Sequence, residues 1–280
     1  MSFQSTALDY GWAARRMSEV LNKGIKTALG RIADAMGISA RRNASVSTIV
    51  AFHRVNDDMP QDGLTCSAAK FEEFCRYFSA QFRVIALSEQ IAGFRLGQAM
   101  GGTLSITFDD GYLDNFQVAA PILQKYRLPA TFFVTTSFVG TSTVAPWDAA
   151  LPMAPRWMDW AHVRELASLG FEIGSHSDTH LNMAASSPED IRNDLMASKE
   201  KLAREVGAAT RLFAYPFGGR EDISDAARAV VRDLGFECCA SCYGGVNSPS
   251  ADPYRLNRIG IAEWFVTPQQ FGLELLLGKA

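Results

Sequence analysis

The sequence has no long apolar segment, and this absence sets the first limit on what the protein can be. No stretch approaches the ~20 consecutive apolar residues that a membrane-spanning helix requires. The first 21 residues also lack an uninterrupted apolar core behind a basic start, so they do not resemble a secretion signal. We therefore expect a cytoplasmic protein.

An excess of positive charge is also missing. The 280 residues include 27 basic and 30 acidic side chains, which gives a net charge of -3. Nucleic acid is therefore not an expected partner, because phosphate binding requires a basic surface. Hydrophobic residues make up 48% of the chain and charged residues 20%, a balance typical of a globular domain.

Cysteine is too rare and too scattered for a disulfide framework. The five cysteines are Cys66, Cys75, Cys238, Cys239 and Cys242. Cys239 and Cys242 have the spacing of a redox or zinc motif, but no second cysteine pair or nearby histidine accompanies them. They lie in the apolar run FECCASCY, so we interpret them as structural.

The first 44 residues differ in pattern from the rest and are interpreted as a helical extension. Their apolar residues recur at helical spacing: Met17, Val20, Leu21, Ile25, Ala28, Leu29, Ile32 and Met36. The basic residues fall mainly on the other face. Either the helix packs on the domain with a solvated basic side, or it lies on a membrane surface. We favour packing, because Gly24 and Gly30 weaken the helix. The main domain is expected at 45–280.

Strand-like and helix-like segments alternate through the remaining sequence. The predicted strands are 46–52, 82–87, 104–108, 130–135, 171–174, 211–215, 236–241 and 258–262. The predicted helices cover 70–78, 115–126, 160–169, 188–206 and 225–234, with others beginning at Ser88 and at Pro268. This alternation predicts an α/β fold with a parallel sheet, and the number of units suits a barrel.

Polar and ionisable residues follow several of these strands directly. They are His53, Asp109, Asp110, His176, His180 and the segment 216–218. In a parallel barrel the carboxyl ends of all strands lie on one face, where active sites form. We therefore expect these residues to meet.

Two motifs within this set indicate a metal site. His176 and His180 are separated by three residues and can reach one ion from a single turn. Asp109 and Asp110 follow a strand, and a cation would resolve the repulsion between adjacent carboxylates at a closed site. A surface turn is the competing interpretation of each motif. Together, Asp110, His176 and His180 form a set that leaves positions open for water and substrate.

The motifs TFDDG (107–111) and HSDTH (176–180), with WMDWAHVRELASLGFEIGSHSDTH (157–180), resemble the polysaccharide deacetylase family, carbohydrate esterase family four. The resemblance covers roughly residues 47–262. It implies a distorted (β/α) barrel of about seven parallel strands and the release of acetyl groups from an acetylated amino-sugar oligo- or polysaccharide. It also implies that Asp109 is the catalytic base. Asp110, His176 and His180 would bind one divalent ion, usually zinc, with cobalt, nickel or manganese as alternatives.

Two departures from the family pattern point to replacement residues. The third family motif usually has an arginine that orients the base, but this chain reads Ala214-Tyr215-Pro216-Phe217, so Arg258 is the candidate substitute. No histidine follows His180, so the family's late general acid is missing and His53 is the natural replacement. The early His-Arg-Val element resembles the branch that contains poly-N-acetylglucosamine deacetylases.

The resemblance also suggests a substrate pocket. The Phe217 N–H would hold the developing oxyanion, with Tyr215, Pro216, Tyr112 and Trp160 around it. Trp147, Trp157 and Trp264 could stack on sugar rings, although core packing is the commoner use of each.

Three other functions remain open at this point. A glycan-binding relative without catalysis would explain the missing arginine, and an O-acetyl esterase could use the same fold. An iron oxygenase could also use two histidines and one carboxylate, although the adjacent second aspartate argues against it.

Overall fold

The computed structural model describes residues 22–207 and 210–278. Its strands are β1 (Thr48–Phe52), β2 (Arg54–Val55), β3 (Thr65–Cys66), β4 (Arg83–Val84), β5 (Thr103–Phe108), β6 (Thr131–Val134), β7 (Glu172–Ser175) and β8 (Ile259–Gly260). The main sheet is parallel in the order β7-β6-β5-β1-β8, and β4 pairs with the start of β5.

Helices connect these strands. They are α1 (22–35), α2 (Ile38–Asn43), α3 (Ala68–Gln81), α4 (Leu87–Arg95), α5 (Ala120–Tyr126), α6 (Trp160–Ser168), α7 (Pro188–Val206), α8 (Asp225–Asp233) and α9 (Pro268–Leu276). A π-helical turn, Asn115–Ala119, precedes α5. Within the described ranges, no helix is both long enough and apolar enough to cross a bilayer.

Single backbone bridges close the sheet into a barrel. Ser175 at the end of β7 pairs with Phe213, Ala214 pairs with Ala240, and Ala240 pairs with Leu256, all in parallel. Leu256 leads directly into β8, which pairs with β1. The barrel therefore has seven parallel strands, as predicted, when the bridged segments at Phe213–Ala214, Ala240 and Leu256–Gly260 are counted as strands. The predicted strands 211–215 and 236–241 are reduced to these bridges, and 82–87 is reduced to the two residues of β4.

The central strands are buried on both faces, which is why they read as continuous apolar runs. Every residue of β1 and β5 is buried. Phe52 and Phe108 stack between these strands and the helices, and Phe71 of α3 meets both rings edge-on. Burial of this apolar surface holds the outer helices against the sheet. The strand ends are thereby fixed, and the site residues that follow them are held in place.

Helix α1 packs on the barrel through a different face from the one its sequence predicts. Lys26 forms an ion pair with Glu274 of α9 at 2.8 Å, and Gly30 lies against the Gln269 backbone. The apolar residues Ile25 and Leu29 are exposed instead. The prediction that the apolar stripe packs on the domain is therefore wrong for the described residues, and Met17, Val20 and Leu21 of the predicted stripe lie outside the described residues. The absence of a side chain at Gly30 allows a close approach to α9. The domain boundary near residue 44 stays a prediction.

Two glycines of α1 provide a matched test of this packing. In Gly24→Ala, the new methyl group has no neighbour within 4 Å, so we expect the free energy of unfolding to rise by about 0.5–1 kcal/mol from helix propensity. In Gly30→Ala, the methyl group would lie 2.0 Å from the Gln269 carbonyl oxygen, so we expect a lower melting temperature. Thermal unfolding of both variants measures the difference. Equal effects would contradict the contact between α1 and α9.

Candidate metal and catalytic site

Side chains from four barrel strands meet in one cavity at the carboxyl ends of the strands. His53 follows β1, Asp109 and Asp110 follow β5, His176 follows β7, and Tyr215 follows the bridged residue Ala214. The cavity has a volume of about 240 Å³. Its lining consists of His53, Leu64, Asp109, Asp110, Trp147, His176, His180, Tyr215 and Phe217. The sequence-predicted site residues are therefore brought together across the barrel, with the exceptions described below.

Asp110, His176 and His180 form a cluster with the geometry of a metal site. The Asp110 Oδ1 atom lies 3.3 Å from His176 Nε2 and 3.4 Å from His180 Nε2. All three residues are buried, and their candidate ligand atoms lie within 4.8 Å of one another. It is the one such cluster among the described residues.

The backbone around this cluster is held in an uncommon conformation. Asp110, Ser177 and His180 have φ angles of 72°, 66° and 58°, in the left-handed region that disfavours residues other than glycine. The surrounding structure must compensate this strain. Asp194 of α7 does so in the loop before His180: its two carboxylate oxygens accept the N–H groups of Asp178 and Thr179 at 2.8 and 3.0 Å.

The neighbours of both histidines suit binding of a divalent cation. The His176 Nδ1 atom lies 2.9 Å from the Ala214 carbonyl oxygen, so an Nδ1–H donates there and Nε2 faces Asp110 as a free ligand. The His180 ring packs between Trp147 and Phe217, with centroid distances of 4.3 and 4.6 Å. Its Nδ1 atom is buried without a hydrogen-bond partner in the described chain. The donor set therefore fits the implied ion.

The negative charge of Asp110 also suits binding of a divalent cation. Burial alone would raise the pKa of its carboxyl group, but the neighbouring His176 and His180 imidazoles hold that pKa well below its usual value. The carboxylate is therefore ionised and available to a cation.

Arg258 holds the second carboxylate, Asp109, in a bidentate ion pair. The two guanidinium NH groups contact Oδ1 and Oδ2 of Asp109 at 2.7 Å each. The Arg258 Nε atom also donates to the Ser241 carbonyl oxygen at 2.7 Å, and one NH group donates to Thr107 Oγ1 at 3.0 Å. Both charged groups are buried. Arg258 therefore contacts Asp109 as expected of a substitute for the missing motif arginine, and its role in catalysis stays a prediction.

This ion pair decides the protonation state of Asp109. Burial would raise the pKa of the carboxyl group, but the charge of Arg258 outweighs burial, and the pKa lies below its usual value. Asp109 is therefore a carboxylate that can accept a proton, and its plane is fixed by two hydrogen bonds.

His53 lies beside Asp109 on the same cavity wall. Its Nε2 atom is 3.9 Å from Asp109 Oδ2. The π-helical turn positions this residue, because the Asn115 side chain donates to the His53 carbonyl oxygen at 2.6 Å. Burial lowers the pKa of the imidazole, although the neighbouring Asp110 and Asp109 carboxylates act in the opposite direction. A protonated His53 is thus a stronger acid than a solvated histidine.

Phe217 presents a backbone N–H at the cavity edge. Its φ angle is 62°, and the N–H has no acceptor among the described residues. Tyr215 lines the cavity two residues earlier, and buried Pro216 joins the two without lining it. This is the arrangement expected of an oxyanion-binding group.

Besides Pro216, two other residues assigned to the pocket from the sequence do not line it, Trp160 and Tyr112. Trp160 begins α6 and packs against the main apolar cluster. Tyr112 is buried, stacks on Trp157 at 4.6 Å and donates to Asp148 at 2.8 Å. Both are held by apolar packing instead of facing the cavity.

Trp147 and Leu64 line the cavity in their place. The Trp147 indole donates to the Tyr112 hydroxyl at 2.8 Å, so Tyr112 acts on the pocket only by positioning Trp147. Trp147 lies in the long Pro- and Trp-bearing connection, where the aromatic residues are the sequence signal. Leu64 carries no signal in the sequence. Cys239 is buried in an apolar cluster, in keeping with a structural role.

The sequence model of the family described as polysaccharide deacetylase matches residues 97–239, just over half of the chain. The chain therefore belongs to the polysaccharide deacetylase family, which confirms the resemblance drawn from its motifs.

Individual relatives support the same placement. A poly-beta-1,6-N-acetyl-D-glucosamine N-deacetylase of Staphylococcus aureus is 24% identical over 207 residues, covering 70% of this chain and 68% of that protein. The peptidoglycan-N-acetylmuramic acid deacetylase PdaA of Bacillus subtilis is 26% identical over 132 residues, which cover 47% of this chain and 44% of that protein. The chain spans about half the length of the Bacillus subtilis relatives that it matches.

A solved structure of IcaB from Ammonifex degensii shares the fold. It superposes with a TM-score of 0.70 at 22% sequence identity, covering 84% of this chain and 98% of that chain. The predicted distorted (β/α) barrel is thereby confirmed.

The metal cluster leads to a test based on ion retention. We expect His176→Ala and His180→Ala to lose a divalent ion that the native chain keeps through dialysis, because two ligands bind too weakly. His162→Ala is the matched control, since His162 lies at the surface start of α6. Elemental analysis and zinc titration calorimetry measure the outcome. In a zinc-loaded structure, the ligand distances should be about 2.0–2.2 Å. Unchanged ion content in both cluster variants would contradict the assignment.

Proposed function

We propose that the protein is a zinc-dependent hydrolase that removes N-acetyl groups from an amino-sugar polymer. The observation that carries this proposal is the pairing of Asp109 with Arg258 beside the Asp110, His176 and His180 cluster. A fixed carboxylate next to a metal site is what hydrolysis by an activated water requires.

Each residue of the cavity has a role in this reaction. When bound at the cluster, a divalent ion acidifies a water molecule and polarises the acetyl carbonyl. Asp109 accepts the proton of the attacking water, while Arg258 keeps the carboxylate in one orientation. The Phe217 N–H donates to the oxygen that gains negative charge.

His53 serves the second half of the reaction. As the carbon–nitrogen bond breaks, the departing nitrogen needs a proton, and His53 is the acid on the same wall as Asp109. The products are acetate and a free amine. Its low imidazole pKa favours donation, at the cost of a smaller protonated fraction.

A second cavity next to the metal cavity supports a polymeric substrate. It measures about 400 Å³ and shares His53, Leu64 and Phe217 with the first. Its far side carries Trp264, an exposed indole whose N–H donates to the Gly260 carbonyl oxygen at 3.0 Å. Aromatic rings of this kind stack on sugars. One acetylated unit at the metal would leave its neighbour beside Trp264.

The names of relatives narrow the substrate class. The Staphylococcus aureus relative is named for poly-beta-1,6-N-acetyl-D-glucosamine, and it matches most of this chain. We take a polymer of N-acetylglucosamine as the leading candidate substrate. Zinc is the leading metal because two histidines and one carboxylate with open positions are typical of catalytic zinc sites.

Acetate release from soluble N-acetylglucosamine oligomers tests this function. We expect zinc-dependent release by the native chain, and a loss of ~10²-fold or more in Asp109→Asn with the ion still bound, because an amide cannot accept the proton. Peptidoglycan fragments and an O-acetylated xylan oligomer serve as alternative substrates. Release from the O-acetylated sugar alone would instead identify an esterase. Tight oligomer binding without release would identify a glycan-binding protein.

The role of His53 is tested with two leaving groups. We expect His53→Ala to slow acetate release from an N-acetyl sugar much more than hydrolysis of an activated aryl acetate, whose phenolate leaves without a proton. Steady-state rates on both substrates, with metal content checked, measure the ratio. Equal losses on the two substrates would show that His53 acts on the structure of the site and not as an acid.

A further inference from the structure

Helix α1 carries an apolar stripe that no described part of the chain covers. Four large apolar residues of α1 and the turn after it have exposed fractions between 49% and 66%: Ile25, Leu29, Ile32 and Met36. Ile38, the first residue of α2, is also exposed. Single exposed apolar residues are ordinary on protein surfaces, but a contiguous row on one helix face marks an interaction site.

The stripe is exposed because α1 packs through its other side. Residues 25, 29, 32 and 36 follow a spacing of three and four, which places them along one line of the helix. Gly30 lies on another side of the helix, against the Gln269 backbone of α9, and Ala33 is buried. Thr27 extends this packed side through its hydroxyl, 2.9 Å from the hydroxyl of Thr267. The domain therefore fixes the orientation of α1 and turns the stripe outward.

Charge around the stripe is strongly positive, although the chain as a whole is acidic. Residues 22–43 contain five basic side chains and one acidic one, whereas the full sequence has a net charge of -3. Within the described part of the chain, only Lys26 of the five is paired with an acid, Glu274 of α9. Arg31, Arg41 and Arg42 are exposed. The single acid, Asp34, is turned toward the domain, where it accepts a hydrogen bond from Tyr77 at 3.4 Å. The outer surface of α1 and α2 thus combines an apolar stripe with basic flanks.

We propose that this surface docks on an anionic lipid bilayer, with the stripe among the acyl chains and the basic flanks at the headgroups. An amphipathic helix with apolar and basic faces binds at this depth, and anionic lipid complements its charge. A second copy of the chain suits the surface less well, because facing stripes would bring two basic flanks together.

The docked helix lies next to the second cavity, the one that borders Trp264. A cavity of about 270 Å³ between α1 and α9 is lined by Lys23, Lys26 and Trp264, and Trp264 also borders the cavity beside the metal site. Lipid docking would therefore hold the second cavity, the proposed site for a neighbouring sugar unit, close to polymer at a membrane surface.

Vesicle sedimentation with the full chain tests the proposal. We expect binding to phosphatidylglycerol-containing vesicles that weakens with salt, and little binding to neutral phosphatidylcholine vesicles. The double variant Leu29→Glu with Ile32→Glu should lower the partition coefficient about tenfold or more. Leu96→Glu is the matched control, because Leu96 is also exposed but follows α4, outside the stripe.

Arg31→Gln with Arg42→Gln separates charge from apolar insertion. This variant should lose binding to anionic vesicles while keeping the melting temperature of the native chain. All variants should release acetate from a soluble oligomer at the native rate, since none of the altered residues lines the cavities beside the metal cluster.

Three outcomes would overturn the proposal. The native chain could fail to bind anionic vesicles, or the stripe variant could bind as tightly as the native chain. Analytical ultracentrifugation could also show a native dimer that the stripe variant dissociates without any vesicle binding. That last result would assign the stripe to a second copy of the chain.

Discussion

The buried ion pair between Arg258 and Asp109 joins the fold of this protein to its chemistry. Two charges removed from water are costly, and each needs its partner and further hydrogen bonds to remain ionised. Arg258, directly before β8, finds these partners on two other strands: Asp109 and Thr107 at β5, and Ser241 next to the bridged residue Ala240. Loss of either charge would leave the other unpaired, which typically costs about 3–5 kcal/mol. The contact that orients the base therefore also holds the barrel closed.

Much of the active face could be predicted because strand ends are easy to recognise. The buried runs before His53, Asp109 and His176 end where polar residues begin, and parallel topology requires those ends to meet. Arg258 is a candidate because the family resemblance implies an arginine that the motif around Pro216 lacks. The predicted strands 211–215 and 236–241 have nearly the right positions but are longer than the observed pairing. Pairing around Ala240 is limited to single bridges, and that depends on the register of neighbouring strands, which local sequence does not determine.

The wrong predictions concern positions where the spacing of apolar residues does not indicate what surrounds a side chain. A helical repeat identifies an apolar face of α1, but it does not say whether protein, lipid or water meets that face. The closest approach to α9 is made through Gly30, where the absence of a side chain matters more than hydrophobicity. In the same way, sequence periodicity does not indicate that Trp147, and not Trp160, is the tryptophan that lines the metal cavity. Trp147 lies in a short 3₁₀ helix, Pro146–Asp148, and donates to Tyr112, which in turn donates to Asp148.

The distance along the chain between the members of the ion pair gives the active site an order of assembly. Asp109 and Arg258 are 149 residues apart, and all three metal-cluster residues lie between them. During synthesis, the cluster residues leave the ribosome well before Arg258 does. The carboxylate of Asp109 acquires its fixed orientation only when β8, the strand that follows Arg258, inserts beside β1. A chain that stops short of residue 258 would carry the three cluster residues but lack the partner that fixes Asp109, so the proposed hydrolysis would depend on one of the last segments of the chain to be synthesised.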